Sequence, residues 1–248
     1  MTKSLLVLTT AAVLHFLRDA VATLEDDLDI LVIDDASPPS VGIVDFCTEM
    51  KLPIIIKDHP LGLTSSWNLG YDYMVRNGYD RCILSNDDVR FVREFSRDLL
   101  KGTEKYAVVC PVSNLPTKND QRFRPQWAKR YCDLPMSSRK KNRNLVQEAL
   151  HRKYAAKPFQ RVTTFNGFCF AFSRAIERYM YSGTHLFNPG LINTKNEFEL
   201  ARRIKSRGGK VAVCKTSYVF HWKNGTFGEL KLPKKDWLWP NSPLFSQG

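Results

Sequence analysis

A chain of 248 residues can bury about three quarters of its unfolded surface, so it folds without disulfide or metal staples. With 43% hydrophobic and 12% aromatic residues and only 13 Gly and 13 Pro, it is neither collagen-like, low-complexity nor disordered. Lys and Arg outnumber Asp and Glu by 37 to 25, a formal charge of +12 that points to a negatively charged partner and says nothing about fold.

At the N-terminus, Lys3 followed by the apolar stretch from Leu5 to Leu17 imitates a secretory signal, but Thr9, Thr10 and His15 interrupt the run and Arg18 and Asp19 end it. Leu5 to Leu8 reads instead as a buried strand leading into a helix. No stretch approaches the roughly 18 uninterrupted apolar residues of a spanning helix, so no stable membrane insertion is expected. The six cysteines (Cys47, Cys82, Cys110, Cys132, Cys169 and Cys214) form no C-x-x-C pair and have mostly apolar neighbours. They read as reduced core thiols of a cytoplasmic protein, in which the sequon Asn224-Gly225-Thr226 stays unglycosylated.

Up to residue 112, short apolar strands alternate with amphipathic helical stretches, the pattern of an α/β doubly wound, mostly parallel sheet with helices on both faces. The strands are expected at Leu5–Thr9, Ile30–Ile33, Pro53–Ile56, Arg81–Leu84 and Ala107–Cys110, and the helices at Ala11–Leu24, Val41–Met50, Leu63–Arg76 and Val92–Lys101. Ligands of such sheets sit beyond the carboxyl ends of the strands. The segments there are Thr9-Thr10, Asp34-Asp35, Asp58-His59 and Ser85-Asn86-Asp87-Asp88, polar and largely acidic. Past residue 112 the rhythm breaks. From Arg122 to Arg161 twelve Lys or Arg stand against Asp133 and Glu148, which suits a solvated loop. An apolar strand Val162–Phe172, a short helix Arg174–Tyr181, a helix Asn196–Arg207 closed by Gly208-Gly209, and two short strands around Val213 and Val219 follow. Lys234 to Gly248, with Pro240 and Pro243, reads as an extended tail.

The sharpest chemical feature is Ile83-Leu84-Ser85-Asn86-Asp87-Asp88-Val89, a buried strand that ends in two adjacent carboxylates. Paired carboxylates repel unless something positive lies between them, and a hard cation such as Mn²⁺ or Mg²⁺ takes this kind of oxygen ligand together with phosphate oxygens. A solvated turn capping the next helix is the other reading of the same residues. No G-x-x-x-x-G-K-[ST] loop, G-x-G-x-x-G turn or G-x-S-x-G elbow occurs, which argues against an ATPase, a nicotinamide enzyme and a hydrolase of that kind.

In order along the chain, Leu6-Val7-Leu8-Thr9-Thr10, Leu31-Val32-Ile33-Asp34-Asp35-Ala36-Ser37 and Ser85-Asn86-Asp87-Asp88 resemble the opening strand, the Asp-pair strand and the acidic metal motif of GT-A glycosyltransferases, particularly the family 2-like nucleotide-sugar transferases. The resemblance covers most of the chain. It implies one GT-A-like domain with a nucleotide-sugar-binding half at 1–112, a smaller acceptor half at 113–233 and the tail at 234–248. The family motif is often Asp-x-Asp, so Ser85 replaces its first Asp, Asp87 falls on the metal-binding second one, and Asp88 can supply the missing charge. Thr9, Asp35 and neighbouring Asp34 fall where the family contacts the nucleotide base, and the stretch from Gly62 to Asn68 resembles its pocket-lining glycine-to-asparagine segment. Asn196-Glu197-Phe198-Glu199-Leu200 resembles the family's Glu-Asp-x-Asp-Leu, which puts Glu197 at the catalytic base of an inverting transfer. Both acids equally suit the first turn of a helix. His221 falls where related enzymes place a histidine on metal or diphosphate, with Lys223 near the phosphates.

The resemblance therefore implies a metal-dependent transfer from a nucleoside diphosphate sugar, UDP-linked in the first instance, to a hydroxyl. Phe123, Trp127, Tyr131, Tyr154 and Phe159 interleave with the cations of the basic segment, a composition that suits a polyanionic acceptor such as DNA carrying a hydroxymethyl base. Arg139, Lys140, Lys141 and Arg143 would grip the backbone, while Trp127 or Phe123 would fill the gap left by a flipped nucleotide. A glycan or lipid-linked saccharide is the alternative acceptor. A non-catalytic nucleic-acid-binding module on the same fold is the competing class.

Overall fold

The computed structural model describes residues 2–114, 140–222, 225 and 229. Among the described residues nine strands form the sheet: β1 (Ser4–Thr10), β2 (Asp29–Asp34), β3 (Ile54–Ile56), β4 (Arg81–Asn86), β5 (Val89–Phe91), β6 (Val108–Val112), β7 (Phe159–Val162), β8 (Cys169–Ser173) and β9 (Val211–His221). Their order is β3-β2-β1-β4-β8-β6-β9-β5, with β7 on β9. β2 and β4 flank β1 in parallel, β3 runs parallel to β2, and β6 parallel to β9. Because β8 is antiparallel to both β4 and β6, strands β1, β2, β3, β4, β6 and β9 all point one way. The mostly parallel α/β architecture expected from the alternating pattern is present.

Helices α1 (Leu14–Thr23), α2 (Ile43–Glu49), α3 (Gly62–Arg76), α4 (Phe95–Gly102), α5 (Lys140–Tyr154) and α6 (Asn196–Ser206) cover the sheet, with short 3₁₀ turns at Pro39–Val41 and Arg174–Tyr179. One continuous core joins Leu5–Leu8, Leu31–Ile33 and Cys82–Leu84 to the aromatic group of Trp67, Phe170, Phe172 and Phe187. α3 lies close on the sheet because Gly70 has no side chain: a Cβ there would stand 3.0 Å from both Val7 and Leu84. Cys47, Cys82, Cys110, Cys169 and Cys214 are free and buried, and burial pushes the Cys169 thiol up to about 12. Cys132 lies outside the described residues. No helix among the described residues is long and apolar enough to cross a membrane.

Several elements differ from the sequence expectation. The apolar run Val162–Phe172 is two strands: β7 pairs with β9, whereas β8 lies between β4 and β6, and one straight strand cannot occupy both places. Conversely, the strands expected around Val213 and Val219 are one, β9, with a register shift opposite Pro111–Val112. The polar stretch Lys215-Thr216-Ser217 inside it is bonded to other parts of the chain. Lys215 N–H donates to Pro158 O at 2.7 Å, Thr216 Oγ1 to Asp98 at 2.7 Å and Ser217 Oγ to Phe95 O at 2.6 Å. Helix α1 starts at Leu14 rather than Ala11, because Ala12 takes a φ of 58° and gives its N–H to Ser37 Oγ. The basic segment was expected as a loop, but its described part holds helix α5 and the start of β7, and α5 buries Val146 and Leu150 and donates from Gln147 Nε2 to Thr216 O at 2.6 Å.

Candidate active site

The common strand direction brings a set of polar groups to one sheet edge. They are Thr9 and Thr10 at the end of β1, Asp34 and Asp35 at β2, Lys57 past β3, Asn86-Asp87-Asp88 at β4, Ser113-Asn114 past β6 and His221 at the end of β9. The reversed strand β8 begins at that edge, so Phe168 O accepts from Asn86 N–H at 2.9 Å and from Ser85 Oγ at 3.2 Å. Thr9 Oγ1 donates to Ser85 O at 3.3 Å. Thr9 and Ser85 thus use their hydroxyls on neighbouring main chain.

The acidic turn is buried. Thr10 Oγ1 donates to Asp87 Oδ2 at 2.6 Å, and burial together with the neighbouring Asp88 charge holds the Asp87 carboxyl well above the usual carboxylate range. Burial also raises Asp88, but the His221 imidazole, the Gly225 N–H (3.0 Å) and the Asn86 side chain outweigh it, and its net shift is downward. The turn is gripped by β9: Val89 pairs with His221, Trp222 N–H donates to Asp88 O at 2.9 Å, and Asn114 Oδ1 accepts from His221 N–H at 2.9 Å. Gly225 comes so near that a Cβ would stand 2.9 Å from the Asp88 Cβ.

His221 Nε2 lies 3.3 Å from Asp88 Oδ1, off the hydrogen-bond direction, so Oδ1 remains a buried acceptor without a hydrogen bond. The same holds for Asn86 Oδ1 and for His221 Nδ1, whose ring stacks on Phe168 at 4.8 Å. Among the described residues no three His, Cys, Asp or Glu side chains are gathered so as to hold a metal ion. Of the expected trio of Asp87, Asp88 and His221, Asp87 accepts from Thr10 and His221 Nε2 lies beside Asp88 Oδ1. Oxygen donors suit a hard cation, and an orphaned carboxylate oxygen beside a second buried carboxylate fits one. Asp88 and Asp87 are the residues that would hold it, the remaining ligands being phosphate oxygens and water.

Asp34 and Asp35 differ in their partners. Asp34 accepts from Ser37 N–H at 3.2 Å and from Ser37 Oγ, and burial keeps its carboxyl above the usual range against those bonds. Asp35 faces Lys57 Nζ at 2.5 Å and accepts from Leu61 N–H at 2.9 Å and Gly62 N–H at 3.0 Å. Lys57, which donates to Gly62 O at 3.0 Å, is lowered by burial with Asp35 opposing. Sequence reasoning missed this lysine. The available signal was its place directly after a strand, in line with Asp34 and Asp35.

Asn68 was expected to line the pocket, yet both ends of its amide are taken by Phe187: Nδ2 donates to the carbonyl at 3.1 Å, and Oδ1 accepts from the N–H at 2.8 Å. Gly62 is similarly engaged with the loop before α6, since at φ +80° a Cβ would stand 2.4 Å from Ile192 Cγ2. Of the acids opening α6, Glu199 is committed to Arg203 at 2.5 Å, and Arg203 in turn donates to Leu186 O. Glu197 is half-buried, its N–H donating to Asn196 Oδ1 at 3.0 Å. Lys140, Lys141 and Arg143 open α5. Trp127, Arg139 and Lys223 lie outside the described residues.

No family model and no curated protein matches the sequence. Among solved structures, GalNAc-T7 with UDP, GalNAc and Mn²⁺ superposes with a TM-score of 0.61 at 15% identity, over 89% of this chain and 44% of that one. TarS residues 1–349 from S. aureus superposes with a TM-score of 0.53 at 12% identity, over 92% of this chain and 63% of that one. The chain thus spans less than half of the first and under two thirds of the second. Both are GT-A fold glycosyltransferases, and the fold of the present chain is theirs.

Proposed function

We propose that this chain is a divalent-cation-dependent glycosyltransferase that moves a sugar from a nucleoside diphosphate, UDP in the first instance, to an acceptor hydroxyl with inversion. The observation that carries the reading is the buried Asp87-Asp88 turn, placed by the strand directions on the same sheet edge as Thr10, Asp34 and Asp35. The fold shared with GalNAc-T7, itself solved with UDP and Mn²⁺, supports it. Asp34 is the carboxylate offered to the base or ribose, and Thr9, Thr10, Ser85 and Asn86 shape the floor beneath the diphosphate. Asp87 and Asp88 would hold the cation, which would supply positive charge against the departing diphosphate. Glu197 takes the proton of the acceptor hydroxyl as the new oxygen bond to the anomeric carbon forms and the bond to the diphosphate oxygen breaks, its electron pair leaving with UDP. Residues 1–112 bind the donor and 113–233 the acceptor, in a cytoplasmic protein.

Glu197→Gln tests the base. It should retain donor affinity and lose turnover by at least about a hundredfold, because only a transition-state interaction is removed. The product's anomeric configuration, assigned by NMR, should be opposite to the donor's; the donor's own configuration would contradict inversion.

The acceptor we propose is a polyanion, DNA carrying a hydroxymethyl base being the chosen case, ahead of a glycan or lipid-linked saccharide. Twelve cations against two acids between Arg122 and Arg161 support it. So does Tyr154, whose ring lies 5.3 Å from Lys153 Nζ and 5.1 Å from Lys215 Nζ. Acceptor use by the wild-type chain should fall several-fold between low and physiological salt, and neutralising Arg139, Lys140, Lys141 and Arg143 together should weaken it at low salt and flatten that dependence while donor hydrolysis is spared. Flat acceptor turnover by the wild-type chain between low and physiological salt would reject the polyanion. The same cations support a second reading, a non-catalytic nucleic-acid-binding module, which requires salt-sensitive DNA binding that survives Asp87→Ala without any donor hydrolysis.

A further inference from the structure

Helix α3 lacks a side-chain cap of its own: its N-cap residue is Leu61. A helix start leaves four backbone N–H groups without intrahelical partners. Here other parts of the chain take them. Asp35 receives Leu61 and Gly62, Asn193 Oδ1 receives Leu63 at 2.8 Å, and Ile192 O receives Thr64 at 2.9 Å. These amides are therefore engaged in holding the chain segment that leads into α6. The two-way Asn68–Phe187 bond pins that segment further back, and the missing Cβ of Gly62 lets it approach.

The fastening reaches the first residue of α6. Asn196, only 1% exposed, donates from Nδ2 to Thr64 Oγ1 at 3.0 Å while its Oδ1 accepts the Glu197 N–H at 3.0 Å. The Thr64 hydroxyl donates its hydrogen bond to Leu191 O, so it is oriented as an acceptor toward Asn196. Only an amide serves here. A carboxylate at position 196 could accept from Glu197 N–H but has no hydrogen to give Thr64.

Resting on the assignment of Glu197 as base, we propose that Asn196, held by Thr64, is a positioning residue that fixes the aim of Glu197 from helix α3. The connection runs from Asp35 at the end of β2, through the α3 N-terminus, Thr64 and Asn196, to Glu197. Displacing a reacting group by about 1 Å can cost about a hundredfold in rate while leaving binding alone.

The test is steady-state UDP release from UDP-glucose, UDP-GlcNAc and UDP-GalNAc by the full chain with Mn²⁺. Thr64→Val and Asn196→Asp, both nearly isosteric, should each lower kcat roughly ten- to a hundredfold with donor KM changed less than about twofold. Thr64→Ser, which keeps the hydroxyl, should recover most of the loss. In a Glu197→Gln background, Thr64→Val should cost nothing further, because there is no base left to aim. Wild-type kcat in Asn196→Asp or Thr64→Val with Glu197→Gln inactive would overturn the positioning role alone, as would a Thr64→Val loss of equal size in the Glu197→Gln background. Full activity of Glu197→Gln, or no UDP release by wild type from any of the three donors, would overturn the assignment of the base and this inference with it.

Discussion

Asp87→Asn is expected to abolish Mn²⁺-dependent UDP binding and to raise the melting temperature of the metal-free chain. Function and stability move in opposite directions because the carboxylate is held where its charge is unfavourable. Burial and the adjacent Asp88 raise Asp87 well above its ordinary value of 3.8. A carboxyl whose folded value is raised contributes stability at pH below the unfolded value and loses it as pH climbs through the folded one. At neutral pH, above the unfolded value, keeping this carboxyl buried beside Asp88 is therefore a cost, whether it holds a proton or a charge, and a cation offsets that cost while an amide removes it. Asparagine also keeps an oxygen for Thr10 Oγ1, which lies 2.6 Å from the present carboxylate. Each 1 kcal/mol relieved should lift the melting temperature by roughly 2–4 °C for a chain of this size. Transfer should fall to less than a tenth of wild type, a loss above ~1.4 kcal/mol of transition-state stabilisation. A fall in melting temperature with activity retained would contradict both halves of the argument.

Lys57→Met should have the largest effect on stability of any single change near the site. The ammonium is buried at 4% side-chain exposure, 2.5 Å from a carboxylate at 7%. Removing one partner of a buried pair leaves the other charge uncompensated, which costs about 3–5 kcal/mol. Asp35 keeps the Leu61 and Gly62 N–H groups, a partial compensation that favours the lower end, about 3 kcal/mol. Lys57 also donates to Gly62 O, so the α3 start should loosen as well. Urea unfolding measures this directly. The midpoint should drop with the slope unchanged, and adding Asp35→Asn should restore part of the loss, since the stranded charge is then gone. An unchanged midpoint would mean that the pair contributes nothing.

The first half of the fold was legible because local pattern and tertiary role agree there. Leu5–Leu8 and Leu31–Ile33 are apolar runs buried on both faces, and each ends in the polar residues that form the edge. The second half was less so. Lys215-Thr216-Ser217 looks like a loop in sequence, yet it lies within β9, its polar atoms bonded to Pro158, Asp98 and Phe95, partners far away in the chain. The strand was expected to end at Cys110, but β6 continues through Pro111 to Val112, and this is how Asn114 comes to hold His221. At the site, residue identity announced the acids but not their partners. Asp35 and Asn68 read alike as pocket-lining groups, whereas the fold gives Asp35 to Lys57 and the α3 amides and gives Asn68 to Phe187. Those pairings depend on which loop crosses which helix, and no spacing along the chain encodes it.

Calorimetric titration of the wild-type chain with UDP, in the presence and absence of Mn²⁺, tests the central claim most directly. Saturable binding that strengthens at least tenfold with Mn²⁺, and loses that gain in Asp87→Asn, is the expected result. No heat of binding from UDP or any other nucleoside diphosphate, with or without the cation, would contradict the proposed nucleotide-sugar chemistry at the Asp87-Asp88 edge.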